Sequence, residues 1–299
     1  VLLLTIVFEK DYQDIVDELR QMKEYFDEKD TFIGISESLE LDTHFIKIFC
    51  SDKDYSTKLV NKFNLYISNI IYKIVIKEFC YDEIYHYLVD TYFFLRYDEL
   101  KEISNRTLEI LRNEEVINDE DMVYCLNKKN AIINKIKACV EENKEINIKG
   151  FITFRLKELK GELEAVIDRV VEKFMAEKEY NEFIKLLKYF VEVQESKIDL
   201  INIVITSDGN YIIKDREGKD IMDQLLSDLS DARYSDSITV EDLIISGLIT
   251  YCPERIIIHN RKNSKNKEVI DTITKVFEER VEFCHDCKMC KKVKNIVKA

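Results

Sequence analysis

Six glycines and one proline in 299 residues is the tightest constraint this chain carries. Average usage is roughly 7 per cent Gly and 5 per cent Pro. Glycine opens the left-handed backbone region and proline interrupts helices, so a chain short of both is built from long uninterrupted segments. Collagen-like, low-complexity and linker-rich architectures are excluded, as is an ordinary Gly-rich nucleotide-binding enzyme. Hydrophobic residues make up 46% and charged residues 34%, which describes an ordered, helix-rich chain with apolar material for a sizeable core.

The length allows two or three domains. Three parts are expected: residues 1–52, 53–197 and 198–299. In the first, Leu2–Phe8 and His44–Cys50 read as strands, with Phe32–Ile35 between them as a third. Asp11–Lys29 places Ile15, Leu19, Met22 and Phe26 at helical spacing. A small sheet covered by one helix follows. The middle part has Gly only at Gly150 and Gly161. Its apolar periods predict helices near 54–80, 82–95, 97–113, 118–142, 150–178 and 180–194. Within 150–178, Ile152, Leu156, Leu159, Leu163, Val166, Val170 and Phe174 form a continuous stripe. Gly161 on that helix suggests a close crossing or a local bend. His86, among Tyr85, Tyr87 and Tyr92, suggests a packed polar-aromatic cluster.

The period changes near Asp199. Leu200–Ile205 and Tyr211–Lys214 flank Ser207-Asp208-Gly209-Asn210, a hairpin signal. A short helix is expected over Ile221–Asp231. Thr239 followed by Asp242 reads as a capping box for a helix that Pro253 stops. Arg255–His259, Glu268–Glu279 and Val281–Phe283 read as strand, helix and strand, and a helical crossover makes the two strands parallel. The fold class is α+β, mostly helical, with a small sheet at each end of a helical bundle.

The formal charge of −13 argues against a global attraction to nucleic acid or an anionic membrane. Arg261–Ala299 runs the other way, with 11 basic against 6 acidic residues. Such a run reads first as a solvated tail and second as a local nucleic-acid contact. No apolar stretch approaches the roughly 20 residues of a membrane span, and the start has neither the basic region nor the cleavage site of a signal peptide. The eight cysteines are therefore expected as reduced thiols in the cytoplasm.

Five of them, Cys50, Cys80, Cys125, Cys139 and Cys252, stand singly and read as small buried hydrophobes. Cys284, Cys287 and Cys290 form a C-x2-C-x2-C run. Thiolates are preferred by soft cations, and two-residue spacing turns successive sulfurs toward one centre. Topology points to a fourth ligand. If Arg255–His259 and Val281–Phe283 are parallel neighbours, His259 and Cys284 share one end of the sheet. Cys252 then lies roughly 20 Å away, at about 3.3 Å per residue. The expected set is Cys284, Cys287, Cys290 and His259, with zinc as its ion and His285 as a second choice of ligand. An iron–sulfur cluster using Cys252-Pro253, a Cys284/Cys287 dithiol, and plain reduced cysteines remain as alternatives. Asp208, Asp215, Asp220 and Asp223 around the hairpin read as turn residues rather than a cation site.

Three stretches together carry a resemblance. They are Phe151–Leu156 continuing to Glu179–Ile184, Glu241–Ser246 continuing to Ile256–His259, and the final cysteine run. The chain over roughly 150–290 resembles the YtxC-like sporulation proteins of endospore-forming Firmicutes, and the N-terminal half is compatible in length and pattern. The resemblance implies a cytoplasmic, sporulation-associated protein. It brings no activity, substrate or catalytic residue.

The sequence contains no P-loop, G-x-G-x-x-G, H-E-x-x-H or G-x-S-x-G. The resulting expectation is a non-enzymatic interaction protein with an unidentified protein partner and a metal-locked C-terminal part. The alternative is an enzyme or sensor that binds a nucleotide or small anion at the C-terminal α/β unit. There Lys262, Lys265 and Lys267 follow His259, in a loop with no Gly for close backbone approach.

Overall fold

The structure is a computed structural model and describes residues 1–9, 14–79, 82–112, 120–227, 239–285 and 287–290. The chain forms two compact units, Val1–Met175 and Ala176–Ala299. Cys80, the end of the helix expected over Ile221–Asp231, and the basic run beyond Cys290 lie outside the described residues.

In the first unit, β1 (Leu2–Glu9), α1 (Asp14–Asp27), β2 (Ile33–Glu40) and β3 (Thr43–Cys50) follow the expected order. β2 and β3 are an antiparallel hairpin closed by Leu41-Asp42, with Leu41 at φ 56°. β1 pairs antiparallel to β3 and parallel to β4 (Glu145–Asn147), giving the sheet order β2-β3-β1-β4. β4 has three residues and a single buried side chain, Ile146, so it leaves no period in the sequence.

Helices α2 (Thr57–Phe79), α3 (Asp82–Thr91), α4 (Tyr97–Arg112), α5 (Glu120–Glu142) and α6 (Ile148–Val193) follow. They share one hydrophobic core with the sheet, built from Ile6, Phe26 and Ile48 together with Phe63, Ile136 and Leu163. The stripe on α6 is buried from Leu159 to Phe174, with Ile152 and Leu156 partly buried at its start. Two helices were expected here and one forms. Ala176-Glu177-Lys178-Glu179-Tyr180 contains no residue that breaks a helix, so the hydrogen-bond ladder runs through it.

Two further expectations are corrected. Gly161 marks no close crossing, because a Cβ placed there would meet nothing within 4 Å. His86 is exposed. The polar-aromatic cluster consists instead of Tyr87 and Tyr92, whose hydroxyls both donate to Asp168 Oδ1 at 2.8 Å. Burial and the Asp168 carboxylate push the Tyr87 phenol up to about 12 and raise Tyr92 as well.

In the second unit, β5 (Leu200–Ile205) and β6 (Tyr211–Lys214) form the expected hairpin, with Gly209 at φ 86° in its turn. α7 (Met222–Ser227) and α8 (Val240–Tyr251) lead to β7 (Arg255–His259), and α9 (Lys267–Phe277) leads to β8 (Val281–Phe283). Thr239 and Asp242 cap α8 reciprocally. β5, β7 and β8 are parallel, so the sheet order is β6-β5-β7-β8. Ile201, Ile203, Ile256 and Ile258 bury one face together with Ile244 and Leu248 of α8 and Ile273 of α9. The last turns of α6 add Ile184, Leu187 and Val191 to this core.

Two glycines on helices should respond to alanine in opposite directions. A Cβ at Gly247 on α8 would lie 2.7 Å from Leu225 Cγ and 3.1 Å from the Leu225 carbonyl oxygen. Overpacking costs about 1–3 kcal/mol, more than the helix-propensity gain of roughly 1 kcal/mol. Gly161→Ala makes no such clash and keeps the gain. In urea unfolding, Gly161→Ala should therefore raise the midpoint of its unit and Gly247→Ala should lower its own.

Candidate metal centre

The parallel register of β5, β7 and β8 places the site. Asn202 pairs with Ile257, and Val204 pairs with His259. Side chains alternate along strands, so Asn202, Val204, Ile257 and His259 point to the face opposite the apolar core. At the end of β8, the Cys284 N–H donates to the Ile258 carbonyl at 2.9 Å, extending the ladder by one residue. Cys284 is thereby fixed beside the carboxyl end of β7. The chain then turns back, and a helical turn at 288–290 carries Cys290 against His259.

All four expected residues come together. One ligand atom from each of His259, Cys284, Cys287 and Cys290 lies within 4.8 Å of the other three, the one such group among the described residues. His259 Nδ1 is 3.5 Å from Cys287 Sγ and 3.4 Å from Cys290 Sγ. Cys290 Sγ is 3.7 Å from Cys284 Sγ and 3.8 Å from Cys287 Sγ. A tetrahedral zinc ion with Zn–S of about 2.3 Å and Zn–N of about 2.0–2.1 Å would hold its ligands about 3.8 Å apart for S···S and about 3.6 Å for S···N. These four edges fit that tetrahedron, and the other two lie within 4.8 Å. An iron–sulfur cluster places its own irons and sulfides between the thiolates and needs them farther apart.

Asn202 is the residue that sequence reasoning missed. Its side-chain Nδ2 donates to the Asp215 carbonyl at 3.0 Å, which turns Oδ1 toward His259 Nε2, 3.1 Å away. Oδ1 is an acceptor, so Nε2 carries the proton and Nδ1 keeps its lone pair on the side of the cysteines. His259 is 3% exposed, and burial lowers its pKa, favouring the neutral ring. The signal was present, because Asn202 is the one polar residue in the strand Leu-Ile-Asn-Ile-Val-Ile.

The cysteines differ in environment. Burial pushes the Cys290 thiol up to about 11. Burial also opposes ionisation of Cys287, but backbone hydrogen bonds at Cys290 and Met289 and the Cys284 side chain outweigh it and lower this thiol. Cys252 is fully buried away from the cluster, its thiol donating to the Val191 carbonyl at 3.3 Å. His285 is not in the cluster. Asp215 and Asp220 accept from nearby backbone N–H groups, and Asp208 from the Thr206 hydroxyl, which are turn roles. Of the three lysines after β7, Lys265 lays its stem on the hairpin turn at Gly209, Lys267 opens α9, and Lys262 lines a pocket.

The profile of the YtxC-like family matches residues 65–282, a span that takes in Asn202 and His259 and ends before Cys284. A similar protein is the "Uncharacterized protein YtxC" of Bacillus subtilis (strain 168), 23% identical over 199 residues that cover 65% of this chain and 67% of the relative. No solved structure matches.

In the metal-free chain the thiols should differ in reactivity. Cys287 should alkylate with iodoacetamide first and at the lowest pH of the three compared. Cys290 should require higher pH, and Cys252 should stay protected until the unit unfolds. Peptide mass spectrometry across a pH series reads the order.

Proposed function

The chain belongs to the YtxC-like family, and we propose that it is a non-enzymatic, cytosolic protein associated with sporulation, whose C-terminal unit is locked by one structural zinc ion. The observation that carries the metal reading is that His259 Nδ1 and the three sulfurs gather within 4.8 Å of one another, with the four contacts to Nδ1 and Cys290 Sγ at the spacing of a tetrahedral zinc site. A Cys3His set fills all four positions of a zinc ion, which suits a structural site, whereas a catalytic zinc keeps one position open. The ion would tie the turn after β8 to the end of β7 and hold the short strand Val281–Phe283 in the sheet. Free thiols at this spacing also need a reducing compartment, which is the ground for the cytosol.

A protein partner is the proposed mode of action. Phe183, Leu186, Phe190 and Val193 are exposed on α6 at spacings of three, four and three residues. That is an apolar stripe of the kind helices use for docking.

Elemental analysis of the purified protein should give one zinc per chain. The triple variant Cys284→Ser, Cys287→Ser, Cys290→Ser should hold none. Wild-type protein without zinc, or a triple variant that keeps it, would overturn the assignment. Asn202→Ala should fold but lose about 10–100-fold in zinc affinity, read by chelator competition, since groups that orient a ligating histidine contribute about that much. Affinity should fall as pH falls, because protons compete for the thiolates.

A further inference from the structure

We infer that the pocket beside the cysteine cluster is a binding site for a phosphate-class oxyanion. The pocket has a volume of ≈ 640 Å³, within the usual range for small-molecule sites. It opens at the carboxyl ends of β7 and β8, the position at which parallel α/β sheets receive ligands. One wall is the turn after β7, with Arg261, Lys262 and Asn263; the other is the end of β8, with Phe283 and His285.

Each wall is held from behind. Asn260 sits at φ 55°, which turns the chain sharply out of β7. Asn263 Nδ2 donates to the Ile205 carbonyl at 3.2 Å and pins the turn to the end of β5. The Arg261 guanidinium lies over the Phe283 ring, 4.8 Å from its centroid, so one face of the cation rests on the opposite wall.

The charges then decide the class of ligand. The chain carries a net −13. Yet among the described residues neither Arg261 nor Lys262 has a carboxylate partner, and no carboxylate among them lines the pocket. A stacked guanidinium keeps its N–H edge free for a planar fork of donors, which matches two oxygens of a phosphate group. Lys262 adds a point charge beside it, and His285 adds a ring that can donate.

Both cations belong to the turn after β7, whereas the opposite wall, Phe283, Cys284 and His285, is the segment the zinc ion would hold, so metal loading and anion binding are read apart. The full-length protein as purified is titrated with inorganic pyrophosphate, followed by calorimetry at two salt concentrations, and the metal content of every sample is measured separately. Saturable binding is expected. Arg261→Ala should weaken it at least tenfold and Lys262→Ala to a smaller extent. Arg261→Lys, which keeps the charge but loses the fork, should fall between wild type and Arg261→Ala. Lys275→Ala removes an exposed cation already paired with Asp271 at 2.7 Å and should leave binding unchanged. Absence of saturable binding by the wild type would overturn the inference, as would equal weakening by Lys275→Ala. Loss of zinc from Arg261→Ala with no anion binding by the wild type would assign the cation to balancing the negative thiolate centre instead.

Discussion

Everything at the C-terminal site depends on the parallel ladder of β5, β7 and β8. The pairing of Val204 with His259 sets which face the imidazole takes, and the same register puts Asn202 one diagonal step away. The bond from Cys284 N–H to Ile258 C=O carries that ladder past the end of β8. A slip of one residue in β7 would send His259 into the apolar core of α8 and α9, because side chains alternate with a period of two. The Cys-x2-Cys-x2-Cys run supplies sulfurs at close spacing. The sheet supplies the address to which they are delivered.

The polar face of this sheet shows what the address costs. Asn202, Thr206 and His259 are all buried. Each has a partner: Asn202 bonds the Asp215 carbonyl and His259, and Thr206 bonds Asn210 and Asp208. A buried polar group without a partner costs about 1–3 kcal/mol, so a half-satisfied version of this arrangement would be worse than an apolar one. The chain spends strand positions that Val or Ile would fill on holding one imidazole in one tautomer.

Much of this was legible in the sequence, and the reasons for the exceptions are physical. The three cysteines and His259 could be joined because strand, crossover helix and strand have one favoured handedness and direction. Asn202 stood out by type, but its role required the register. β4 was invisible, since three residues with one buried side chain have no period to detect. The break expected between 178 and 180 followed from a lapse in the apolar period, and a lapse without a helix-breaking residue does not end a helix. Gly161 was over-read in the same way: glycine in a helix signals a close approach only where something approaches, as Leu225 does at Gly247. The basic turn after β7 was legible by composition, but only the fold shows that Arg261 and Lys262 face a pocket while Lys265 covers a turn.

The first sheet imposes an order on synthesis. β1 is an inner strand with one neighbour, β3, that follows within about fifty residues and another, β4, that arrives only at Glu145. A ribosome adds about 5–20 residues per second, so roughly a hundred further residues take on the order of 5–20 seconds. Through that interval the nascent strand Leu-Leu-Leu-Thr-Ile-Val-Phe-Glu keeps one row of backbone donors and acceptors unmatched. An apolar segment of that kind, open on one side while the helices are still being made, is where a holdase would grip this polypeptide.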